Sequence, residues 1–199
     1  RVVVAFRGTA MKSVVNWVDN LKFLQMAPYE GLGMVRVHEG FYADWVVLRE
    51  QVFSGVTQLV GKHNAPLLIT GHSLGGALAT LAAFELSQHF RVDQVVTFGA
   101  PRVGNVQFHL RLGRQVPNFW RVTHNADLVP HVPPQAAGYY HGSREVFYLT
   151  STEYQVCNGS GEDPACSNQF FHLSPTYHVS YLGSHMGNNM CVKTPPVLV

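Results

Sequence analysis

The sequence predicts an α/β fold: a mostly parallel central sheet with helices on both faces. Two observations carry this. Apolar runs of strand length alternate with stretches of helical spacing through most of the chain, the pattern that builds parallel sheets with crossover helices. Residues 66–83, PLLITGHSLGGALATLAA, read as a buried strand, a tight turn and a helix in immediate succession. The 199 residues suit one domain, 1–199, with one sizeable core.

Composition excludes several classes. With 46% hydrophobic and 13% charged residues the chain is too apolar for disorder. No run approaches the roughly twenty apolar residues of a transmembrane span. A net charge of +2 with scattered basic residues gives no nucleic-acid footprint. Eleven histidines are present, but no HExxH and no paired Cys/His spacing, so no metal is expected.

Val2-Val3-Val4-Ala5-Phe6 reads as a strand buried on both faces. A core strand so close to residue 1 leads to the expectation of an N-terminally truncated domain. Arg7-Gly8-Thr9 follows, a polar loop placed to give one half of an oxyanion hole through the Thr9 N–H. Residues 13–24 read as an amphipathic helix with Ser13 as N-cap and Val14, Trp17, Val18 and Leu21 on one face. That helix is either a surface helix packed on the core or a lid over the site. A long helix is expected over 41–63, with Phe41, Trp45, Leu48, Val52 and Leu59 as its buried stripe.

Gly71-His72-Ser73-Leu74-Gly75 fits the G-x-S-x-G nucleophile elbow. Serine is a weak nucleophile unless its backbone holds it exposed beside a base. The flanking glycines permit a strained turn and close approach of neighbouring backbone. The Leu74 N–H, at the start of the helix, is the second oxyanion donor. The plain alternative is a Gly-rich turn in which Ser73 only caps the helix.

Strands are expected at 92–98 and 119–123, with a short helix over 106–112 between them. The second strand runs into Asp127. Active groups of parallel sheets sit at the carboxyl ends of strands, so Asp127 suits the acid of a triad, and Asp93, which begins a strand, suits it less. A further strand near 145–149 is expected to be antiparallel at the sheet edge. The order Ser, Asp, His requires a later histidine. His178 and His172 both remain open on spacing, with His178 favoured for its place after Pro175 in SPTYHVSYLG.

Cys157 and Cys166 flank the turn-rich CNGSGEDPAC, where a disulfide would stabilise by roughly 2.5–3 kcal/mol. Asn158-Gly159-Ser160 inside it is a glycosylation acceptor sequence. Together they favour a secreted, extracellular protein.

In this order, VVVAFRGT, SVVNWVDNLKF, VHEGF, ITGHSLGGALATLAA, VVTFGAPRVGN, WRVTHNADLVPHVPP and HVSYLG resemble the class 3 lipase family, the fungal-type triacylglycerol lipases. The resemblance implies an α/β-hydrolase fold, a helical lid whose aromatic is Trp17, no cofactor, and a lipid ester substrate met at a lipid–water interface. It implies Ser73 as nucleophile, Asp127 as acid and His178 as base, and Thr9 and Leu74 as oxyanion donors. This sequence departs from the family pattern in two ways: a helix and strands normally precede RVVVAF, and a C-terminal cysteine often bridges to them, so Cys191 is expected here to be without its partner. A monomer is expected. The rival readings are a phospholipase A1 or feruloyl-type esterase on the same scaffold, or a binding protein that has lost catalysis.

Overall fold

A computed structural model describes residues 1–9, 14–142 and 144–186. Ser13, the expected N-cap, and Cys191 lie outside the described residues. The elements run β1 (Val2–Phe6), α1 (Val14–Asp19), β2 (Gln25–Met26), β3 (Val37–His38), α2 (Glu39–His63), β4 (Leu67–His72) and α3 (Leu74–Leu86). Then come β5 (Val92–Phe98), α4 (Val106–Gln115), β6 (Phe119–His124), β7 (Arg144–Tyr148), β8 (Tyr154–Val156), β9 (Ser180–Tyr181) and β10 (Ser184–His185).

Six strands form one sheet in the order β1-β4-β5-β6-β7-β8. The pairings from β1 to β7 are parallel, and only β7–β8 is antiparallel. The expectation for residues 145–149 is therefore corrected. The long connection after β6 returns the chain in the same direction, so β7 pairs parallel, and β8 is the antiparallel edge. The expectation that β1 is buried on both faces is corrected too. It is the other edge, and Val3 is 60% exposed while Val2 and Phe6 point into the core.

α3 follows the serine turn and is buried almost all round, with Ala77, Ala79, Leu81, Ala82 and Ala83 fully enclosed. A helix apolar on every side belongs in the interior. α3 lies against β1, β4 and β5, and it also meets α2 and α4. Its small residues let it approach the sheet closely, so the strand end and the helix start are held as one rigid corner.

α2 begins two residues earlier than expected, because His38 Nδ1 accepts the Phe41 N–H at 3.2 Å and caps it. It stops at Asn64, whose φ of 46° turns the chain left-handed. Phe41, Trp45 and Val56 are buried, while Leu59 faces solvent and Val60 packs inward instead. The buried line advances in steps of four residues, so it passes Leu59 by. α1 is shorter than the helix expected over 13–24. The Asn20 side chain bonds the Asn16 carbonyl at 2.6 Å, and the Leu21 N–H reaches Val18 O, tightening the last turn.

Candidate active site

The carboxyl ends of β1, β4, β5 and β6 form one rim, and the predicted chemical groups gather there. Ser73 has φ 59° and ψ −133°, a strained conformation for a residue with a side chain. The corner needs its glycines. A Cβ on Gly71 would lie 2.1 Å from Gly75 O, and one on Gly75 would lie 2.2 Å from Phe6 O. A Cβ on Gly8 would meet His72 O at 2.6 Å and the Ser73 Cβ at 3.1 Å. The loop after β1 therefore runs directly past the serine.

Ser73 does not cap α3, as its hydroxyl makes no bond to the helix start. Its N–H donates to Phe98 O at 3.0 Å, which ties it to the end of β5. Among the described residues the buried Oγ has no partner. Among the described residues the N–H groups of Thr9 and Leu74 also lack acceptors.

His178 lies in a single 3₁₀ turn, Tyr177–Val179. Its Nδ1 is 2.9 Å from Asp127 Oδ2 and 3.1 Å from Oδ1, while its buried Nε2 has no partner among the described residues. Ser73, Asp127 and His178 are 1%, 1% and 0% exposed. Gly99 sits at the junction. It continues the register that pairs His72 with Phe98, placing it beside Ser73. A Cβ on Gly99 would fall 2.9 Å from Asp127 Oδ2 and 3.1 Å from His178 Cε1.

Asp127 is further anchored. Its Oδ1 accepts the Val129 N–H at 2.9 Å, and its Oδ2 accepts the Tyr181 hydroxyl at 2.5 Å. Burial and the Asp127 charge push the Tyr181 phenol well above its ordinary pKa, so it remains a donor. The His72 ring stacks on His178 with centroids 4.5 Å apart, and its Nε2 lies 2.9 Å from the His178 carbonyl. Burial, with the His178 charge second, pushes His72 down to about 4. Sequence reasoning missed both residues. Tyr181, three positions after His178, and His72, inside the elbow motif, were visible only as neighbours of a motif.

The two alternatives, His172 and Asp93, lie elsewhere. His172 is exposed, and Asp93 pairs with Arg1 at 2.8 Å. His131 bonds the carbonyls of Asp127 and Ser167, and His141 that of Pro130. Of the predicted lid residues, Val14 is buried and Trp17 stacks on Phe41 at 5.9 Å. Val18 and Leu21 are half-buried, and Leu21 packs on the core. The Cys157–Cys166 disulfide is present, and Asn158 is exposed beside it. These cysteines and Asp163 form a cluster of metal-ligand type, but sulfurs joined to each other do not serve as thiolate ligands.

A profile of the family described as "Lipase (class 3)" matches residues 3–137. The chain belongs to the class 3 lipase family. It is 33% identical over 194 residues to "Secreted mono- and diacylglycerol lipase 1" of Fusarium solani, covering 92% of this chain and 56% of that protein. It is 32% identical over 197 residues to a lipase of Rhizomucor miehei, covering 94% and 53%. The chain thus spans about half the length of the curated relatives it matches. The crystal structure of a lipase from Rhizopus microsporus var. chinensis superposes with a TM-score of 0.84 at 33% identity, covering 93% of this chain and 66% of that one. A triacylglycerol lipase structure described as having a serine protease triad at its catalytic centre gives 0.83 at 30% identity, covering 92% and 71%. This class 3 lipase chain has the α/β-hydrolase fold, with a mostly parallel central sheet flanked by helices. No helix among its described residues is long and apolar enough to cross a membrane.

Proposed function

We propose that this chain is a serine carboxylic-ester hydrolase acting on lipid esters, a triacylglycerol lipase whose residues 1–199 contribute one catalytic domain. The observation that carries the reading is the strained Ser73 on its elbow, at the same rim as a buried His178–Asp127 pair whose outer nitrogen has no partner among the described residues.

His178 Nε2 takes the Ser73 proton as Oγ attacks the ester carbonyl. Asp127 holds the imidazole in the Nδ1–H tautomer and offsets the positive charge that forms. The oxyanion is received by the N–H groups of Thr9 and Leu74, each worth a few kcal/mol of barrier in comparable sites. His178 then protonates the leaving alcohol. Water repeats the cycle and frees the acid.

The segment around α1 acts as the lid. Val14, Trp17, Val18 and Leu21 bury against the protein in water, and the same face transfers to lipid at an interface. The enzyme is a secreted monomer that works at the lipid–water boundary. That a relative is named a mono- and diacylglycerol lipase supports reading glycerides, rather than feruloyl esters or phospholipids, as the substrate class of this chain.

Ser73→Ala should lower ester turnover by several orders of magnitude with thermal unfolding unchanged, and should abolish labelling by a fluorophosphonate. Near-parental turnover would remove the assignment. Turnover should also rise abruptly when the substrate passes its solubility limit. Smooth saturation through that point would count against the lid.

A further inference from the structure

We propose that Asn158 carries an N-linked glycan, and that its first sugars rest in a cavity at the opposite end of the sheet from the serine. Asn158 is exposed in the acceptor sequence Asn158-Gly159-Ser160. Its turn is rigid. Oδ1 accepts the Ser160 N–H at 2.9 Å, the Asn158 N–H donates to Asp163 Oδ2 at 2.8 Å, and the Cys157–Cys166 disulfide closes the loop. Among the described residues the Nδ2 that would be modified donates to nothing.

Asn158 and Ser160 form part of the wall of a cavity of about 590 Å³. That volume is in the range of ligand pockets, about 300–1,000 Å³. The cavity borders the first residues of β6 and β7, Phe119 and Arg144, so it opens at the amino ends of the parallel strands. Its other walls include Leu110, Arg114 and Tyr140. This is the chemistry a neutral sugar uses: an aromatic and aliphatic surface for its C–H face, and an exposed guanidinium for its hydroxyls. The covalent anchor at the wall decides the occupant.

Attachment forms a bond from Asn158 Nδ2 to the anomeric carbon of an oligosaccharide carried on a lipid pyrophosphate. The bond from that carbon to the pyrophosphate oxygen breaks, and the lipid pyrophosphate leaves with the amide proton.

The test is to secrete the full-length protein from a eukaryotic host. The peptide containing Asn158 should carry a sugar mass that a peptide N-glycosidase removes, and Asn158→Gln and Ser160→Ala should each abolish it. Removing the glycan should lower the thermal midpoint by about 2–4 °C, and Asn158→Gln should show the same lowered midpoint. In Tyr140→Ala, at an exposed position, glycan removal should leave the midpoint unchanged. An unmodified Asn158 overturns the proposal. So does a glycan whose removal leaves the parental midpoint unchanged, or lowers it equally in Tyr140→Ala.

Discussion

Tyr181 is a phenol buried against a carboxylate that also holds an imidazole. A hydrogen bond to a charged group is worth about 1.5–3 kcal/mol. Here the Tyr181 hydroxyl and the Val129 N–H fix the carboxylate plane, and the carboxylate fixes the ring. Tyr181→Phe keeps the packing and removes the donor. It should lower kcat/KM about tenfold, or ~1.4 kcal/mol of barrier, while fluorophosphonate labelling of Ser73 persists at a slower rate. Unchanged kcat/KM would show that the Val129 N–H alone is sufficient. The residues that meet at this rim were legible where their chemistry is tied to a motif. Ser73 announced itself by flanking glycines, and Asp127 by the end of a strand. His178 and His172 could not be separated by spacing, since both are distant along the chain and only the turn Tyr177–Val179 aims one of them at Asp127. Tyr181 and His72 act through space on another side chain, which leaves no periodic trace.

At the scale of elements, the elbow is defined by backbone crossing backbone. Because Phe6 O would be 2.2 Å from a Cβ at position 75, Gly75→Ala must push β1 away from α3. Overpacking of this kind costs about 1–3 kcal/mol, and here it also moves Thr9 relative to Leu74. We expect a lower denaturation midpoint together with a fall in kcat larger than the stability loss alone explains, measured by urea unfolding and ester turnover at saturation. The disulfide loop works differently. Its Glu162 forks onto Arg102 at 2.7 and 2.8 Å and accepts the His141 N–H, clamping the loop over the buried side of the chain. Replacing Cys157 and Cys166 by serine should cost roughly 2.5–3 kcal/mol, or about 5–12 °C of thermal midpoint, with turnover at 25 °C retained because the loop is remote from Ser73. The elbow strand, its helix and the disulfide were readable because each follows from local spacing. The end of α1 and the parallel direction of β7 were not. One depends on an asparagine side chain competing for a carbonyl, the other on how a long connection returns across the sheet.

For the whole molecule, the buried histidines set the response to acid. Burial lowers His109 to about 3 and His72 to about 4, and it also depresses His38, His131 and His141. The Arg121 guanidinium lowers His109 and His141 further. Each is neutral in the folded chain and takes a proton in the unfolded chain below the ordinary value of 6.5. The unfolded state therefore binds more protons as pH falls through 6.5, and stability drops, by up to about 1.4 kcal/mol per pH unit for each such histidine. The loss from His109 levels off only near pH 3. Glu162 adds to it at lower pH. Burial alone would raise its carboxyl, but the Arg102 fork holds it far below 4.5, so its stabilisation is present above that pH and fades below. Several histidines titrating together make the decline steep, and the thermal midpoint should fall continuously from pH 6.5 to pH 4. His109→Gln, which keeps a polar side chain and removes the titration, should flatten that decline. A midpoint that stays constant down to pH 4.5 would mean that these imidazoles are already charged in the fold, which their burial opposes, and for His109 and His141 the Arg121 guanidinium as well.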